Sequence, residues 1–236
     1  MTYLRSALYA LAMLFLTPIF SCLALAVFPL SPLARNRVIA SYARTMIFLA
    51  RVLCGIRYRV LGGENLPDRP SIVLSKHQSA WETMAFQLIF PPQVYLLKQE
   101  LLRIPFFGWG LAMTSPIAID RSAGREALKK MLAQGKDRLA QGLWIVIFPE
   151  GTRMPPGRKG KYQVGGAWLA THTGAPVVPV AHNAGERWSR NAFLKHPGAI
   201  TVSIGEPIDP KGLKADELNA RVEVWIEAEM QRIAET

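Results

Sequence analysis

Two short runs of β-branched and other apolar residues, each followed at once by a polar cluster, constrain the fold of this chain most strongly. The first run occupies residues 71–75, Ser-Ile-Val-Leu-Ser, and leads into Lys-His-Gln-Ser-Ala-Trp-Glu-Thr. The second occupies residues 144–148, Trp-Ile-Val-Ile-Phe, and leads into Pro-Glu-Gly-Thr-Arg. Such runs are typical of buried strands, and the clusters that end them predict functional side chains at the edge of a sheet.

The first polar cluster contains His77 and, five positions later, Glu82. On one continuous helix these two residues would lie about 140° apart, at about 100° per residue, and could not pair readily. The spacing therefore predicts that His77 lies in a loop between a strand and a helix. The helix is expected to begin near Ser79 or Ala80, with Glu82 in its first turn, where a carboxylate interacts favourably with the helix dipole.

The two clusters together predict a class of chemistry. A histidine oriented by a carboxylate can act as a general base. The second cluster adds Arg153, whose guanidinium offers a forked donor to phosphate. A base, an orienting acid and an anion-binding group are the minimum for moving an acyl group onto an alcohol that also carries a phosphate.

Charge and composition restrict the partners. Half of the 236 residues are hydrophobic, which suits one α/β domain with an appendage. The formal net charge is +11, and residues 98–161 hold 12 Lys and Arg against 5 Asp and Glu. Positive charge favours anionic lipid headgroups, phosphate or coenzyme A as partners. No nucleic-acid partner is predicted, because the basic stretches alternate with membrane-like apolar runs and no recognition motif occurs.

Residues 7–27 are almost wholly apolar, and Pro18 within them is expected to kink or break a helix. Residues 38–56 are also apolar but contain Arg44 and Arg51, as in an amphipathic helix at a membrane surface. Residues 1–56 are therefore predicted to form a membrane-embedded helical hairpin or anchor. A cleaved signal peptide and an ordinary buried helix pair are the alternatives. Cys22 and Cys54 lie in apolar surroundings and favour a reduced, cytosol-facing protein over a disulfide scaffold.

Residues 57–236 alternate between short apolar runs and helical periodicities, without an internal repeat or a low-complexity linker. This alternation predicts a single α/β domain with a mixed sheet flanked by helices. The last periodic segment, residues 215–234, is predicted to be a closing amphipathic helix. Among the aromatic residues at 106–109, the alternatives are the wall of an acyl tunnel, a lipid contact and a core position.

Four blocks in this order resemble those of the 1-acyl-sn-glycerol-3-phosphate acyltransferases, the lysophosphatidate acyltransferases. The first is His-x4-acid, from His77 to Glu82, where the family usually has aspartate. The second is the Lys-rich stretch at residues 98–108, with Ile-Asp-Arg at 119–121. The third is Phe-Pro-Glu-Gly-Thr-Arg at residues 148–153, called here the FPEGTR block, and the fourth is Val-Pro-Val at 178–180. Lys76 also departs from the family, in which asparagine is common before the histidine.

The resemblance implies a glycerophospholipid acyltransferase-like α/β fold and a reaction. A fatty acyl group would pass from acyl-CoA or acyl-carrier protein to the sn-2 hydroxyl of lysophosphatidic acid, giving phosphatidic acid. No metal or cofactor is implied, and the expected location is the inner membrane, with the active site on the cytoplasmic side. Another lysolipid or glycerol-3-phosphate as acceptor, and a non-catalytic membrane-surface binding protein, are the alternatives.

The candidate site residues fall into two groups. His77 is the expected general base and Glu82 its orienting acid. The remaining residues are expected to bind the substrate phosphate or the atoms near it: Glu150, Gly151, Thr152, Arg153, Lys98 and Arg121. The backbone amides of Gly151 and Thr152 are candidates for an oxyanion, and Glu150 is expected either to bind a glycerol hydroxyl or to hold Arg153.

Overall fold

The computed structural model describes residues 1–120 and 123–234. Two long helices come first, α1 (Thr2–Ala26) and α2 (Pro32–Cys54), and a short turn joins them. Helix α2 begins where the Ser31 hydroxyl accepts a hydrogen bond from the Ala34 amide, and it ends at Gly55, whose positive φ permits the chain to turn into the first strand. The helical pair ends at Cys54 and β1 begins at Ile56, and the division into residues 1–56 and 57–236 stays a prediction.

The rest of the described chain alternates strands with helices. The strands are β1 (Ile56–Leu61), β2 (Ile72–Ser75), β3 (Gln93–Lys98), β4 (Ile117–Ile119), β5 (Trp144–Ile147), β6 (Val177–His182) and β7 (Gly198–Ile204). The helices are α3 (Trp81–Ile89), α4 (Phe107–Ala112), α5 (Arg125–Ala140), α6 (Gly165–Thr173), α7 (Ala184–Arg187) and α8 (Ala215–Ala234). Short 3₁₀ turns occur at Gly63–Asn65 and Gln99–Arg103.

The seven strands form one sheet in the order β1-β7-β6-β2-β5-β3-β4. Neighbours pair in parallel, except for the antiparallel pair of β6 and β7. The prediction of a mixed sheet flanked by helices is therefore confirmed. Strand β2 lies between β5 and β6, so the two sequence clusters that follow β2 and β5 meet at the same edge.

Alternate residues of the strands point to two hydrophobic cores. Val73, Val146 and Val178 face the layer formed by α2 and α3. Ile72 and Ile145 face the layer formed by α5, α6 and α8. The central strands are consequently apolar on both faces, as expected for a parallel sheet covered on both sides.

Helix α1 packs along the α/β domain. Ser6 and Tyr9 are fully buried, and the Ser6 hydroxyl accepts a hydrogen bond from the Lys195 amide. Tyr9 packs edge-on against Trp188, with the ring centroids 5.2 Å apart. Of the predicted kink or break at Pro18, the break does not occur: the helix continues through Pro18, in a stretch where the Thr17 hydroxyl hydrogen-bonds Tyr42 of α2.

The opposite face of α1 is exposed and apolar. It presents large hydrophobic side chains, among them Leu4, Leu8, Leu11, Phe15 and Ile19. In residues 1–120 and 123–234, α1 is the one helix long and apolar enough to cross a membrane, and 17% of its most apolar window is buried. That low burial is unlike an ordinary core helix.

Candidate active site

The site is assembled at the carboxyl ends of three neighbouring strands. The loop after β2 contains His77, the loop after β5 contains the FPEGTR block, and β6 ends at His182. Because these strands are parallel, the residues that follow them emerge at one edge of the sheet. Crevices of this kind are the usual ligand sites of open α/β sheets.

His77 and Glu82 form a hydrogen-bonded pair. Nδ1 of His77 lies 2.8 Å from Oε1 of Glu82. His77 lies in the loop before α3, and Glu82 lies in the first turn of that helix, as the spacing predicted. The same carboxylate oxygen accepts hydrogen bonds from the backbone amides of Gln78, at 2.9 Å, and Ser79, at 2.7 Å. Glu82 is thus fixed by the loop that it supports.

The pairing determines which nitrogen of His77 faces the substrate space. A carboxylate only accepts, so Nδ1 donates its proton to Glu82 and Nε2 keeps a free lone pair. The imidazole also stacks on Phe148, with ring centroids 3.9 Å apart and an interplanar angle of 14°. The side chain is 14% exposed, so this ring is both held in place and accessible.

Glu82 is completely buried and ionised. Burial by itself raises the pKa of this carboxyl group, but interactions with His182 and His77 and the Ser79 amide together hold the pKa below its ordinary value. Its second oxygen, Oε2, is buried without a hydrogen-bond partner. A negative charge held next to the imidazole stabilises the imidazolium that forms when His77 accepts a proton.

His182 lies beneath this pair and was not predicted as a site residue. Its Nε2 donates to the Lys76 carbonyl at 2.8 Å, and its Nδ1 accepts from the Ala184 amide at 3.3 Å. Burial lowers the pKa of His182, and both ring nitrogens have hydrogen-bond partners. Its position at the end of a Val-rich strand was the only feature of the sequence that pointed to the site. No acid or base near it in the sequence indicated a catalytic partner.

Glu150 of the FPEGTR block has a different set of contacts from those expected. Its Oε1 accepts from Lys76 Nζ at 2.8 Å and from the Gly160 amide at 2.9 Å, and its Oε2 accepts from the His77 amide at 3.3 Å. The Glu150 side chain is fully buried. These contacts bind it to the His77 loop, and they replace the expected contact with Arg153.

Gly151 and Thr152 form the turn that follows. Gly151 has a φ of +67°, which favours glycine, and its amide donates to the Phe148 carbonyl at 2.9 Å. That hydrogen bond closes the turn and engages one of the two amides expected to bind an oxyanion. Thr152 is exposed and lines the cavity described next, so its amide remains the candidate donor.

A cavity of about 470 Å³ opens beside His77. Polar and charged residues near the sheet edge line it: His77, Lys98 at the end of β3, Thr152, Arg153, Arg190 and Asn191. Apolar residues of the helices and neighbouring strands line it as well, including Phe20, Ala24, Ile39, Ala40, Met84, Leu97, Phe107 and Leu111, and polar groups such as Thr17, Asn36 and Thr114 lie among them. A space lined by both cationic and apolar side chains suits an amphiphile.

The open question about the aromatic residues at 106–109 is answered by their positions. Phe107 lines the cavity. Phe106 and Trp109 are 44% and 45% exposed, so they are surface residues and no core position is involved. Exposed aromatic residues beside an apolar cavity are suited to contact lipid.

Three of the predicted basic residues have different outcomes. Arg153 lines the cavity, and its Nε is buried without a hydrogen-bond partner. Lys98 is exposed at the end of β3 and also lines the cavity. Arg121 lies outside the described residues.

Arg190 is a basic residue of the cavity that sequence reasoning missed. Its Nη1 donates to the Arg153 carbonyl at 3.1 Å, and it lies in the loop after the short helix α7. A single arginine in a strongly basic chain gives no sequence signal of its own. Within the described ranges 1–120 and 123–234, no group of three His, Cys, Asp or Glu residues is placed to hold a metal ion.

The fold and the site together define an α/β enzyme built around a His-acid pair. Residues 57–183 match the family model described as "Acyltransferase". The chain also matches the 1-acyl-sn-glycerol-3-phosphate acyltransferase of Pseudomonas aeruginosa, with 44% identity over 98% of this chain and 92% of the relative. The chain belongs to the acyltransferase family, and it is an O-acyltransferase.

More distant comparisons agree with this assignment. The 1-acyl-sn-glycerol-3-phosphate acyltransferase of Saccharomyces cerevisiae is 31% identical over 75% of this chain and 59% of its own length. The fold matches the crystal structure of the 1-acyl-sn-glycerophosphate acyltransferase PlsC from Thermotoga maritima with a TM-score of 0.83 and 23% identity, covering 100% of this chain and 97% of that one. The latter comparison concerns the fold alone.

The geometry of the pair predicts the effect of changing Glu82. We expect Glu82→Gln to lower kcat by roughly 10²–10⁴-fold, because a neutral amide cannot stabilise the imidazolium. The KM values for donor and acceptor should change little, and Glu82→Asp should retain partial activity. Steady-state kinetics on both substrates measure this, with Glu126→Gln on the exposed surface of α5 as the control. A large rise in the acceptor KM at unchanged kcat would instead assign Glu82 to substrate binding.

Proposed function

We propose that this protein transfers a fatty acyl group from acyl-CoA or acyl-carrier protein to the sn-2 hydroxyl of lysophosphatidic acid, producing phosphatidic acid. The observation that supports it most is the placement of the free Nε2 of His77 beside a cavity lined by both cationic and apolar side chains. The names of the curated relatives at 44% and 31% identity support the same acceptor.

In the proposed reaction His77 acts as the general base. The sn-2 hydroxyl gives its proton to Nε2 while its oxygen attacks the thioester carbonyl carbon. The tetrahedral intermediate then collapses, the carbon–sulfur bond breaks, and the imidazolium returns the proton to the thiolate. General-base assistance of this kind contributes typically about 10²–10⁴-fold in rate. The proposed reaction is balanced with the acyl donor, the alcohol and His77 alone.

The cationic side chains of the cavity would bind the phosphate of the acceptor. Arg153 offers a forked donor with an unpartnered buried Nε, and Lys98 and Arg190 add positive charge beside it. Arg121 stays a candidate from the sequence. Thr152, through its amide, would donate to the oxyanion of the tetrahedral intermediate.

The buried Glu150 would act on His77 rather than on the substrate, since both its oxygens accept internal hydrogen bonds. The apolar part of the cavity would receive an acyl chain. Burying methylene groups there contributes about 0.8 kcal/mol each, which is enough to favour one chain length over another. The wall of this part comes from α1 and α2 together with α3, α4 and β3.

We propose that the exposed apolar face of α1 lies in the membrane. Leu8, Leu11 and Phe15 belong to this face, and Arg37 and Arg44 are exposed on α2 nearby in the helical pair. Arginine side chains suit anionic headgroups, and each adds about 1 kcal/mol of attraction near an anionic surface. Because acyl-CoA and acyl-carrier protein are cytosolic, the active site would be on the cytoplasmic side of the inner membrane.

The decisive test of the reaction is His77→Ala. Thiol release from acyl-CoA in the presence of lysophosphatidic acid should fall by at least about 10²-fold, because the hydroxyl loses its base. His172→Ala, at an exposed position on α6, is the control and should retain activity. Product formation on a panel of acceptors, including glycerol-3-phosphate, identifies the preferred alcohol. Turnover by His77→Ala within a few-fold of the wild type would disprove the mechanism.

The proposed phosphate site makes a separate prediction. Arg153→Ala should raise the KM for lysophosphatidic acid about 10-fold or more while affecting the KM for acyl-CoA far less, because a bidentate phosphate contact is lost. Arg153→Lys should restore affinity only in part. Arg125→Ala, at an exposed position on α5, serves as the control. Equal effects of Arg153→Ala on both substrates would indicate a structural role.

The proposed membrane contact is tested by adding charge to the exposed face of α1. Leu11 and Phe15 are 50% and 66% exposed, so Leu11→Asp/Phe15→Asp should fold and lose binding to vesicles that contain anionic phospholipid. Val224→Asp, at a 70% exposed position on α8, is the matched control. Vesicle flotation at low and high salt measures binding, and activity in detergent micelles checks the fold. Unchanged flotation of the double variant would place the membrane contact elsewhere.

A further inference from the structure

A completely buried lysine stands directly before the proposed base. Lys76 is 1% exposed, and its Nζ donates to Glu150 Oε1 at 2.8 Å, to Glu227 Oε1 at 2.9 Å and to the Arg158 carbonyl at 3.1 Å. All three protons of the ammonium group are therefore used. Its side chain contacts α8, which belongs to the helical layer that packs against the strand residues Ile72 and Leu74.

The two carboxylates around Lys76 connect different parts of the chain. Glu227 lies in α8 and also accepts a hydrogen bond from the Tyr162 hydroxyl at 2.8 Å. Burial raises the pKa of Tyr162, so this hydroxyl remains a donor. Glu150 accepts from the Gly160 amide at 2.9 Å. The cluster thus joins the His77 loop, the FPEGTR block, the segment that follows it, and α8.

The backbone of His77 is held by two hydrogen bonds, one of which comes from the cluster. The His77 amide donates to Glu150 Oε2 at 3.3 Å. The His77 carbonyl accepts from the Met154 amide at 2.7 Å. A shift of Lys76 or Glu150 would move the imidazole with the backbone. Misplacement of a reacting group by about 1 Å can cost about 10²-fold in rate.

We propose that Lys76, Glu150 and Glu227 form a positioning cluster through which α8 holds His77 in its reactive place. The inference rests on the proposed role of His77 as the base. None of the three residues needs to touch substrate. Buried ion clusters are weak sources of stability, because desolvation offsets most of the attraction. An apolar core could therefore replace such a cluster without loss of folding. A role in positioning His77 explains why charged residues are present here instead.

The cluster has a second effect that distinguishes positioning from mere stability. One ammonium and two carboxylates lie near the imidazole, so removing either sign of charge changes the energy of the imidazolium. The acid limb of the kcat profile should move to lower pH in Glu227→Gln, where the imidazolium loses a nearby negative charge, and to higher pH in Lys76→Met, where it loses a nearby positive charge. The other charged or titratable groups around His77 stay in every variant: Glu82, Tyr95, Lys98, Arg153, His182 and Arg190.

The chain provides a matched control one turn earlier on the same helix. Glu223 forms an ion pair with Lys159, whose side chain is 53% exposed, and so also joins α8 to the segment after the FPEGTR block. This pair does not include Lys76. Glu223→Gln therefore removes a charge of the same sign from the same helix without disturbing the cluster, and its kcat and pH profile should match the wild type.

The experiment measures kcat, both KM values, the kcat–pH profile and thermal unfolding of the full-length protein in detergent micelles, with acyl-CoA and lysophosphatidic acid as substrates. Glu227→Gln should lower kcat about 10-fold or more and leave both KM values within about twofold. Lys76→Met should lower kcat further and shift the acid limb in the opposite direction. Lys76→Met/Glu227→Gln should be little worse than Lys76→Met alone, since the two residues act through each other.

Each outcome bears on the proposal. Reduced kcat with opposite shifts in two folded variants supports it. A Glu227→Gln protein that is unfolded, or that is folded with wild-type kcat and pH profile, overturns it even if Lys76→Met fails to fold. The role of the base is tested separately. If only the cluster proposal is wrong, Glu227→Gln has normal activity and His77→Ala is still inactive. An active His77→Ala protein would instead overturn the proposed function itself.

Discussion

The parallel pairing of β2 with both β5 and β6 is the constraint on which the site depends. It brings residues that are far apart in sequence to one edge of the sheet. Glu150 hydrogen-bonds the His77 amide across 73 positions, and His182 hydrogen-bonds the Lys76 carbonyl across 106. Each contact follows from strand order and register rather than from local sequence. Successive residues after β2 then point in different directions, so Lys76 reaches α8 while His77 stacks on Phe148.

The two buried glutamates of the site have different tasks because their partners differ. Glu82 accepts hydrogen bonds from the imidazole of His77 and from two loop amides, and it therefore fixes the tautomer of His77. Glu150 accepts hydrogen bonds from an ammonium group and from two other amides, and it therefore fixes the backbone of His77. Burying an ionised carboxylate is costly unless hydrogen bonds and charge compensate it, and both residues have several such partners. One histidine is thus held independently through its ring and through its peptide.

Sequence reasoning identified the parts of the site that local geometry and motif order determine. The angle between positions on a helix was sufficient to place His77 in a loop and Glu82 in the first turn of α3. The same reasoning gave Glu150 other partners, because its contact with Lys76 depends on how two loops meet. Glu227 lies 151 positions from Lys76, and no local pattern indicates that they touch. The uninterrupted course of α1 through Pro18 likewise depends on packing against the domain, which propensity alone does not include.

The helical pair at the N-terminus connects the proposed membrane contact with the proposed reaction. Phe20 and Ala24 of α1 line the cavity, whereas Leu11 and Phe15 of the same helix are exposed. One helix therefore has an inner side toward the reacting groups and an outer apolar side suited to lipid. A lysolipid is itself divided into an apolar chain and a charged headgroup, and the cavity is lined by both apolar and cationic side chains. If the outer face lies in the bilayer as proposed, an acyl chain can reach the cavity with little exposure to water, while its phosphate would lie near Arg153, the proposed phosphate-binding residue.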